Sequence, residues 1–248
     1  MAAARGGSEP AVPLSIVIPT LNEAGRLAAT LAAVARMRGP FEVIIADGGS
    51  IDDTAAIATR HGAIVVAGQR GRGTQLHAGA CIARGDVLWF LHADTHPPSD
   101  GVEQIGEALR DPRVVAGNFA IRFDGESRAA RFLTWLYPRL RWLGLRYGDS
   151  GIFVRREVYV RAGGFRPFPI FEDLDLIRRL RPLGQWAAVP AAVVTSSRNF
   201  EGRSFLVVFA RWIALQVLYW LGVPPRVLGR LYYPALHQPA ATRRFRQN

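Results

Sequence analysis

The sequence predicts an α/β fold, Rossmann-like, with a mostly parallel central sheet and helices on both of its faces. Three observations carry that reading. Short apolar runs alternate with segments of helical periodicity through the first half of the chain, the order that builds strand–helix–strand crossovers. The runs are too uniformly apolar for one-sided strands, so they belong in a sheet covered on both faces. The polar clusters of the first half sit where those runs end, and open α/β sheets bind ligands at the carboxyl ends of their strands.

Taken in order, residues 14–18 form the first apolar run, stopped by Pro19. Residues 23–37 carry the period of an amphipathic helix. A second run, 41–46, leads into the turn Asp47-Gly48-Gly49-Ser50, and 52–61 is helical again. Residues 63–67 are a third strand, 74–83 a third helix and 87–91 a fourth strand, almost wholly apolar. The second half is less regular. It offers a strand at 114–123, a stretch rich in Arg, Trp, Tyr and Leu at 128–147, a helix at 173–183 and a strand at 186–195 interrupted by Pro190. Residues 205–223 are nearly continuous apolar sequence, broken by Arg211 and Gln216. Three units result. Residues 1–12 are a small, polar, Pro- and Gly-containing lead-in, expected to be disordered; 13–203 are the α/β domain; 204–248 are an apolar helix and a tail ending in Arg243-Arg244-Phe245-Arg246. The lead-in lacks the apolar core of a secretory signal, so the chain is expected in the cytoplasm.

At 248 residues, 49% hydrophobic and 21% charged, the chain can bury a sizeable core. No solenoid period, about 20–50 residues, is present. The single cysteine, Cys81, excludes a disulfide framework and a thiolate zinc site, and its apolar helical surroundings predict a buried core thiol. The net charge is +11, and every basic residue is an arginine. Such a surface favours anionic partners, nucleoside diphosphates or anionic lipid. No segment has the pattern of a nucleic-acid-binding module, so no nucleic-acid partner is expected. Nothing in the sequence signals an oligomeric state.

The polar clusters carry the chemistry. Asp47 closes a strand in a Gly-rich turn, where its carboxylate could accept hydrogen bonds from N–H or hydroxyl groups of a ligand; Gly48 and Gly49 allow that ligand close approach. Glu23, in Pro19-Thr20-Leu21-Asn22-Glu23 after the first strand, could accept from ribose in the same way. An ordinary turn, with a helix start at Asp52 and Asp53, also accounts for these residues. Gln69-Arg70-Gly71-Arg72-Gly73 precedes a helix. Backbone amides, a helix N-terminus and two guanidiniums, Arg72 ahead of Arg70, suit a diphosphate as well as a solvated turn. His92 and His96 flank a strand end and a Pro-Pro turn rather than a helix, so their spacing is not read as zinc. Phe171-Glu172-Asp173 sets acids at a helix start, where they also complement the dipole. Gly148-Asp149-Ser150-Gly151 is a further polar turn, able to bind hydroxyls at Asp149 and Ser150 or to shape the loop.

Four of these blocks, in this order, resemble the family 2 glycosyltransferases of GT-A fold: Ile18-Pro19-Thr20-Leu21-Asn22-Glu23, Asp47-Gly48-Gly49-Ser50-Ile51-Asp52-Asp53-Thr54, Phe90-Leu91-His92-Ala93-Asp94 and Phe171-Glu172-Asp173. The resemblance covers about residues 14–200 and is closest in character to small bacterial members without clear transmembrane helices. It implies a nucleoside-diphosphate sugar as donor, UDP-linked ahead of GDP-linked, and a hydroxyl on an unnamed acceptor. The implied donor site takes in Pro19, Thr20, Asn22, Glu23, Asp47, Gly48, Gly49, Arg70, Arg72, His92, Ala93 and Asp94, with Arg198 and Arg203 on a basic loop that closes over the diphosphate. His92-Ala93-Asp94 stands in the place of an Asp-x-Asp signature whose last carboxylate holds Mg²⁺ or Mn²⁺. Here His92 replaces the first acid and leaves Asp94 to anchor the metal. By the same resemblance transfer is inverting. Asp173 is the base that takes the acceptor proton, Glu172 orients it or the acceptor, and Asp149 and Ser150 lie on the acceptor side.

Residues 205–223 are about as long as a bilayer span of roughly 20 residues. Arg211 near their middle and Pro224-Pro225 after them favour a helix packed on the domain, or one lying peripherally on the anionic inner face of the cell membrane. Residues 128–147 are a second amphipathic candidate for that surface. Two rival functions stand beside the transferase. One is a catalytically silent protein that kept the sugar-nucleotide fold as a membrane scaffold, supported by His92 in place of an acid. The other is a nucleotidyltransferase, which would carry a Gly-rich loop where Pro19-Thr20-Leu21-Asn22-Glu23 stands.

Overall fold

The structure, a computed structural model, describes residues 14–125, 127–142, 146–197 and 204–232. In chain order its elements are β1 (Leu14–Thr20), α1 (Ala24–Ala35), β2 (Phe41–Asp47), α2 (Thr54–Arg60), β3 (Ile64–Ala67), α3 (Arg72–Ile82), β4 (Val87–Phe90), β5 (Thr95–His96) and α4 (Gly101–Ala108). There follow β6 (Val114–Phe123), α5 (Arg128–Trp142), β7 (Phe153–Arg155), α6 (Arg156–Arg161), α7 (Glu172–Leu180), β8 (Gln185–Thr195), α8 (Phe205–Trp220) and α9 (Pro225–Tyr232).

The strands form one sheet in the order β3-β2-β1-β4-β7-β6-β8-β5. β3, β2, β1 and β4 pair in parallel. β7 runs against both β4 and β6, β8 runs with β6, and β5 runs against β8. This is the mostly parallel α/β fold expected from the sequence. Successive β1 residues serve opposite faces, as strand geometry requires. Ile16 and Ile18 join a core with Leu27 and Leu31 of α1, Ile57 of α2, Ile105 of α4 and Leu133 of α5. Val17 joins the other, with Leu76 of α3, Tyr159 of α6 and Leu176 of α7. A third cluster holds α8 and α9 against the start of α7 through Ile170, Phe171, Leu215 and Leu228.

Three expectations need correction. Cys81 is exposed rather than buried. α3 lies so close to the sheet that a Cβ at Gly79 would stand 2.4 Å from Val17 Cγ1. That contact rotates Leu76, Gly79 and Ala80 inward and leaves Cys81 outside, its Sγ 3.7 Å from His77 Nε2. β3 is an edge strand and only partly covered, with Ile64 exposed, so it is not buried on both faces. Pro190 does not interrupt β8. It falls where the pairing with β6 jumps from Asn118↔Ala188 to Ala120↔Ala192, a bulge in which its missing N–H is not needed. Among the described residues no helix is long and apolar enough to cross a membrane. The lead-in and the arginine-rich tail lie outside the described residues.

Candidate functional site

Parallel pairing sets Thr20, the end of β1, beside Asp47, the end of β2. A buried side chain on α3 ties the two ends together: Gln75 Nε2 donates to the Thr20 carbonyl at 2.7 Å and to the Ala46 carbonyl at 2.8 Å. The sequence reading did not single Gln75 out; an amide on the inward face of a helix was the available signal. Past these strand ends opens a cleft of about 860 Å³. One wall is polar and includes Pro19, Thr20, Glu23, Arg70, Arg72, His92, Ala93, Asp94, Asp149 and Asp173. The other is apolar, made by Leu133, Leu136, Tyr137 and Leu140 of α5 and by Phe209, Trp212, Ile213, Val217 and Trp220 of α8. None of those apolar residues was foreseen as part of a site.

Several expected residues build the rim of the cleft instead of lining it. Asp47 spends both carboxylate oxygens in its own turn. Oδ1 accepts from Thr20 Oγ1 at 3.0 Å and Ser50 Oγ at 2.5 Å; Oδ2 accepts from the N–H groups of Gly49 at 3.1 Å and Ser50 at 2.8 Å. Burial pushes this carboxyl up, but the bonds from Ser50, Thr20 and Gly49 outweigh it and hold the group below the usual carboxylate range. Asn22, in the left-handed region at φ 55°, accepts from Ile51 N–H at 2.9 Å and donates its own N–H to Ser50 Oγ at 2.8 Å. Gly48 has no room for a side chain, since a Cβ would come within 2.9 Å of Gln75, and Gly49 needs its φ of 87°. Asp52 accepts from the N–H groups of Ala24 and Thr54, both at 3.1 Å, in the plain role of starting helices. Ser150 is buried; its Oγ donates to the Tyr147 carbonyl at 2.5 Å and accepts from Asn118 Nδ2 at 3.0 Å, which fixes the turn. Arg198 and Arg203 lie outside the described residues.

The acids at the start of α7 diverge. Phe171, the residue before the helix, is left-handed at φ 62° and is held there by the rings of Tyr219 and Trp212, 5.0 and 6.5 Å away. Glu172 turns inward and is buried, and Arg72 Nε donates to its Oε1. Burial raises the Glu172 carboxyl and the Arg72 charge pulls it back. Its other oxygen has no hydrogen-bond partner. Glu172 thus orients Arg72 and contributes nothing to the cleft lining. Asp173 turns into the cleft. Its Oδ2 accepts from Gly148 N–H at 2.6 Å and its Oδ1 from Leu174 N–H at 2.8 Å. Beside that anchor stands Asp149, whose Oδ1 is enclosed without a partner. Burial, reinforced by the negative charge of Asp173 and opposed by Arg72, pushes Asp149 up to about 7. Two neighbouring carboxyl groups in one cleft, one of them titrating near neutrality, form a pair suited to proton transfer. The Tyr147 hydroxyl, which donates to Gln216 Oε1 at 3.0 Å, and the ring of Tyr137 5.4 Å from that of Tyr147 complete this end.

His92 and Asp94 follow β4 and both line the cleft. Among the described residues no three His, Cys, Asp or Glu side chains stand together as a metal cage. One carboxylate with an imidazole nearby leaves most coordination positions open. Mg²⁺ and Mn²⁺ accept phosphate oxygens and water in such positions. The donor set therefore fits a divalent ion held jointly with a diphosphate.

A cleft at the carboxyl edge of a parallel half-sheet, with arginines, a helix N-terminus and a carboxylate pair on its polar wall, has the chemistry to suit an anionic ligand. Residues 15–169 match the family model of glycosyl transferase family 2, and the chain belongs to that family. It is similar to the undecaprenyl-phosphate 4-deoxy-4-formamido-L-arabinose transferase of Serratia proteamaculans, 30% identical over 162 residues, 59% of this chain and 49% of that one. Human dolichyl-phosphate beta-glucosyltransferase is 28% identical over 246 residues, 83% of this chain and 73% of its own. The chain spans only 36% to 49% of the length of several curated relatives that it matches. Its fold is shared with the mannosyltransferase PcManGT of Pyrobaculum calidifontis in complex with GDP-Man and Mn²⁺, at a TM-score of 0.63 and 20% identity over 89% of this chain and 69% of that one. S. aureus TarS 1-349 in complex with UDP-GlcNAc has a TM-score of 0.62 and 16% identity over 83% and 66%.

Proposed function

We infer that this protein moves a sugar from a nucleoside-diphosphate sugar, UDP-linked ahead of GDP-linked, to an acceptor hydroxyl with inversion. The observation that carries this is Asp173, anchored by Gly148 N–H on the wall of the same cleft that Arg70, Arg72 and Asp94 line. Asp173 takes the proton of the attacking hydroxyl. Asp149 lies beside it as a carboxyl that can hold or accept a hydrogen bond from the acceptor. Arg72, oriented by Glu172, and Arg70 neutralise the diphosphate. Glu23, above the rim built by Asn22, Asp47, Gly48 and Gly49, receives the ribose. A divalent ion bound at Asp94 would stabilise the charge that develops on the departing diphosphate. The complexes of fold relatives with UDP-GlcNAc and with GDP-Man and Mn²⁺ support this class of donor.

The test is a thermal-shift series with UDP- and GDP-sugars, with and without Mn²⁺, beside a turnover assay on Asp173→Asn. A donor at a hundred times its Kd adds about 2.7 kcal/mol of stability, a readable shift. Asp173→Asn should keep that shift and lose turnover by about a hundredfold or more. No shift with any donor, or turnover untouched by Asp173→Asn, sinks the reading. A silent scaffold would bind donor without metal-dependent release of nucleoside diphosphate.

A further inference from the structure

The apolar wall of the cleft has no part in donor chemistry, and it does not stop at the cleft. Ile213, Val217 and Trp220 line the cleft and are exposed to solvent. The same surface continues over Leu206, 75% exposed, Val207, 66%, and Leu221, 76%. On α5 it takes in Phe132 and Trp135, and the Phe132 ring meets those of Phe205 and Phe209 at 5.6 and 6.3 Å, so α5 and α8 present one face. Of the residues of α8 only Leu215 and Gln216 are buried. α8 packs one stripe, Phe205, Phe209, Trp212, Leu215 and Tyr219, against the domain, most of it only in part, and leaves the other side of the helix apolar and exposed.

The charge carried by these helices has one sign. Arg128, Arg131 and Arg139 of α5 and Arg226 and Arg230 of α9 are exposed, and α5, α8 and α9 contain no acidic residue. Arg139 lies over the Trp135 ring at 3.9 Å. Arg211, the one charge within α8, donates to the carbonyls of Leu231 and Tyr232 at 2.7 and 2.8 Å and so caps the end of α9. A second copy of the chain seated here would set arginine against arginine, since an isologous contact repeats the same patch. An anionic bilayer satisfies both the apolar face and its arginine margin.

We propose that α5, α8 and α9 dock the protein on an anionic bilayer, with the cleft opening onto the lipid, so that the acceptor is an amphiphile carried by the membrane. The acceptor clause rests on the glycosyl-transfer reading; the docking clause does not. The polar head of the amphiphile reaches Asp149 and Asp173 while its hydrocarbon chain lies between α5 and α8. Its oxygen bonds to the anomeric carbon, its proton passes to Asp173, and the nucleoside diphosphate leaves with the electrons of the broken bond.

The experiment pelletises the full chain with vesicles of phosphatidylcholine, with and without phosphatidylglycerol. Phosphatidylglycerol should raise binding at least tenfold. The double variant Leu206→Asp/Val207→Asp, at exposed positions outside the cleft lining and with every arginine retained, should bind at least tenfold more weakly, while its melting temperature and its donor-induced shift match the wild type. Equal binding to both vesicles, or an unaffected variant, overturns the proposal. So does self-association of the wild type in sedimentation equilibrium without lipid that the same variant abolishes, because a second copy is then the occupant. Labelled donor is then supplied with lipid and aqueous extracts of the source cells. Label in the lipid phase supports a membrane-borne acceptor, and label confined to the aqueous products overturns it. Absence of any donor-induced shift strikes the transferase reading instead and leaves docking to be judged by the vesicles alone.

Discussion

Replacing Asp149 with Asn should stabilise the protein, by an amount that grows with pH. The Asp149 carboxyl is raised from 3.8 to about 7, first by burial and then by the charge of Asp173. Below about pH 4 the side chain is neutral in folded and unfolded chains alike and makes no difference. From there to about pH 7 the unfolded chain releases a proton that the folded chain keeps, so stability falls as pH rises, by about 1.4 kcal/mol per unit. A shift of about three units corresponds to about 4 kcal/mol at full strength. One oxygen is enclosed, but the residue as a whole keeps some contact with water in the open cleft, so solvent screening leaves about half, roughly 2 kcal/mol. Asn has the same shape and does not ionise. Urea unfolding of the two metal-free proteins from about pH 4 to about pH 8 reads the effect. With a slope of about 2 kcal/mol per molar, the midpoint of Asp149→Asn should lead the wild type by about 1 M at the alkaline end and by little at the acid end. A gap that does not change with pH, or a variant less stable at the alkaline end, refutes the argument, because the carboxylate would then be at home in the cleft as an anion.

Two further substitutions probe the same end of the site. Arg72→Met strands the buried Glu172 carboxylate; breaking such a pair costs about 3–5 kcal/mol when fully buried, and with Arg72 41% exposed about 2 kcal/mol is expected. Adding Glu172→Gln should restore most of that loss in chemical denaturation, and a double variant no more stable than the single one would show that Arg72 is not the counter-ion. Gly148→Ala sets a Cβ 3.0 Å from Asp173 Oδ2 and 3.2 Å from its Cβ, so the carboxylate must move by a few tenths of an ångström. Turnover should drop about ten- to a hundredfold with the melting temperature nearly unchanged, and full activity in this variant would remove Asp173 from the reaction.

Elements with a period of their own were readable from the sequence, and elements defined by their neighbours were not. β1, β2 and β4 are apolar runs bounded by polar turns, and β6 spans Val114–Phe123 as its pattern predicts. β7 is three residues long and β5 two. Each is a strand only because a partner lies alongside, β4 and β6 in one case and β8 in the other. Cys81 shows where periodicity fails inside a correct helix. Ala78, Gly79, Ala80, Cys81 and Ile82 are all small or apolar, so the pattern cannot phase the helix. The phase comes from the contact of Gly79 with Val17, which lies 62 positions away in the chain, and even Ile82 ends 41% exposed.

The site divides along the same line. Residue types at strand ends and helix starts identified the loops that form the polar wall, because the sheet collects those loops whatever their side chains do. They did not say which acids would remain available. Asp47 and Asp149 are both aspartates in Gly-containing turns beside a serine. Parallel register brings Thr20 to Asp47, and Ser50 completes a set of four donors, so that carboxylate is consumed by the fold. The serine next to Asp149 is taken by Asn118 and by the Tyr147 carbonyl, and Trp186 Nε1, at 2.7 Å, holds the Asn118 oxygen in turn. Asp149 is left with one enclosed oxygen, Oδ1, that no donor reaches. Whether an acid in a turn is scaffold or chemistry therefore depends on how many hydroxyls and amides the tertiary fold delivers to it, a quantity that no local motif contains. In this cleft the acid that the fold leaves wanting is the one beside Asp173, where a ligand hydroxyl would supply the missing hydrogen bond.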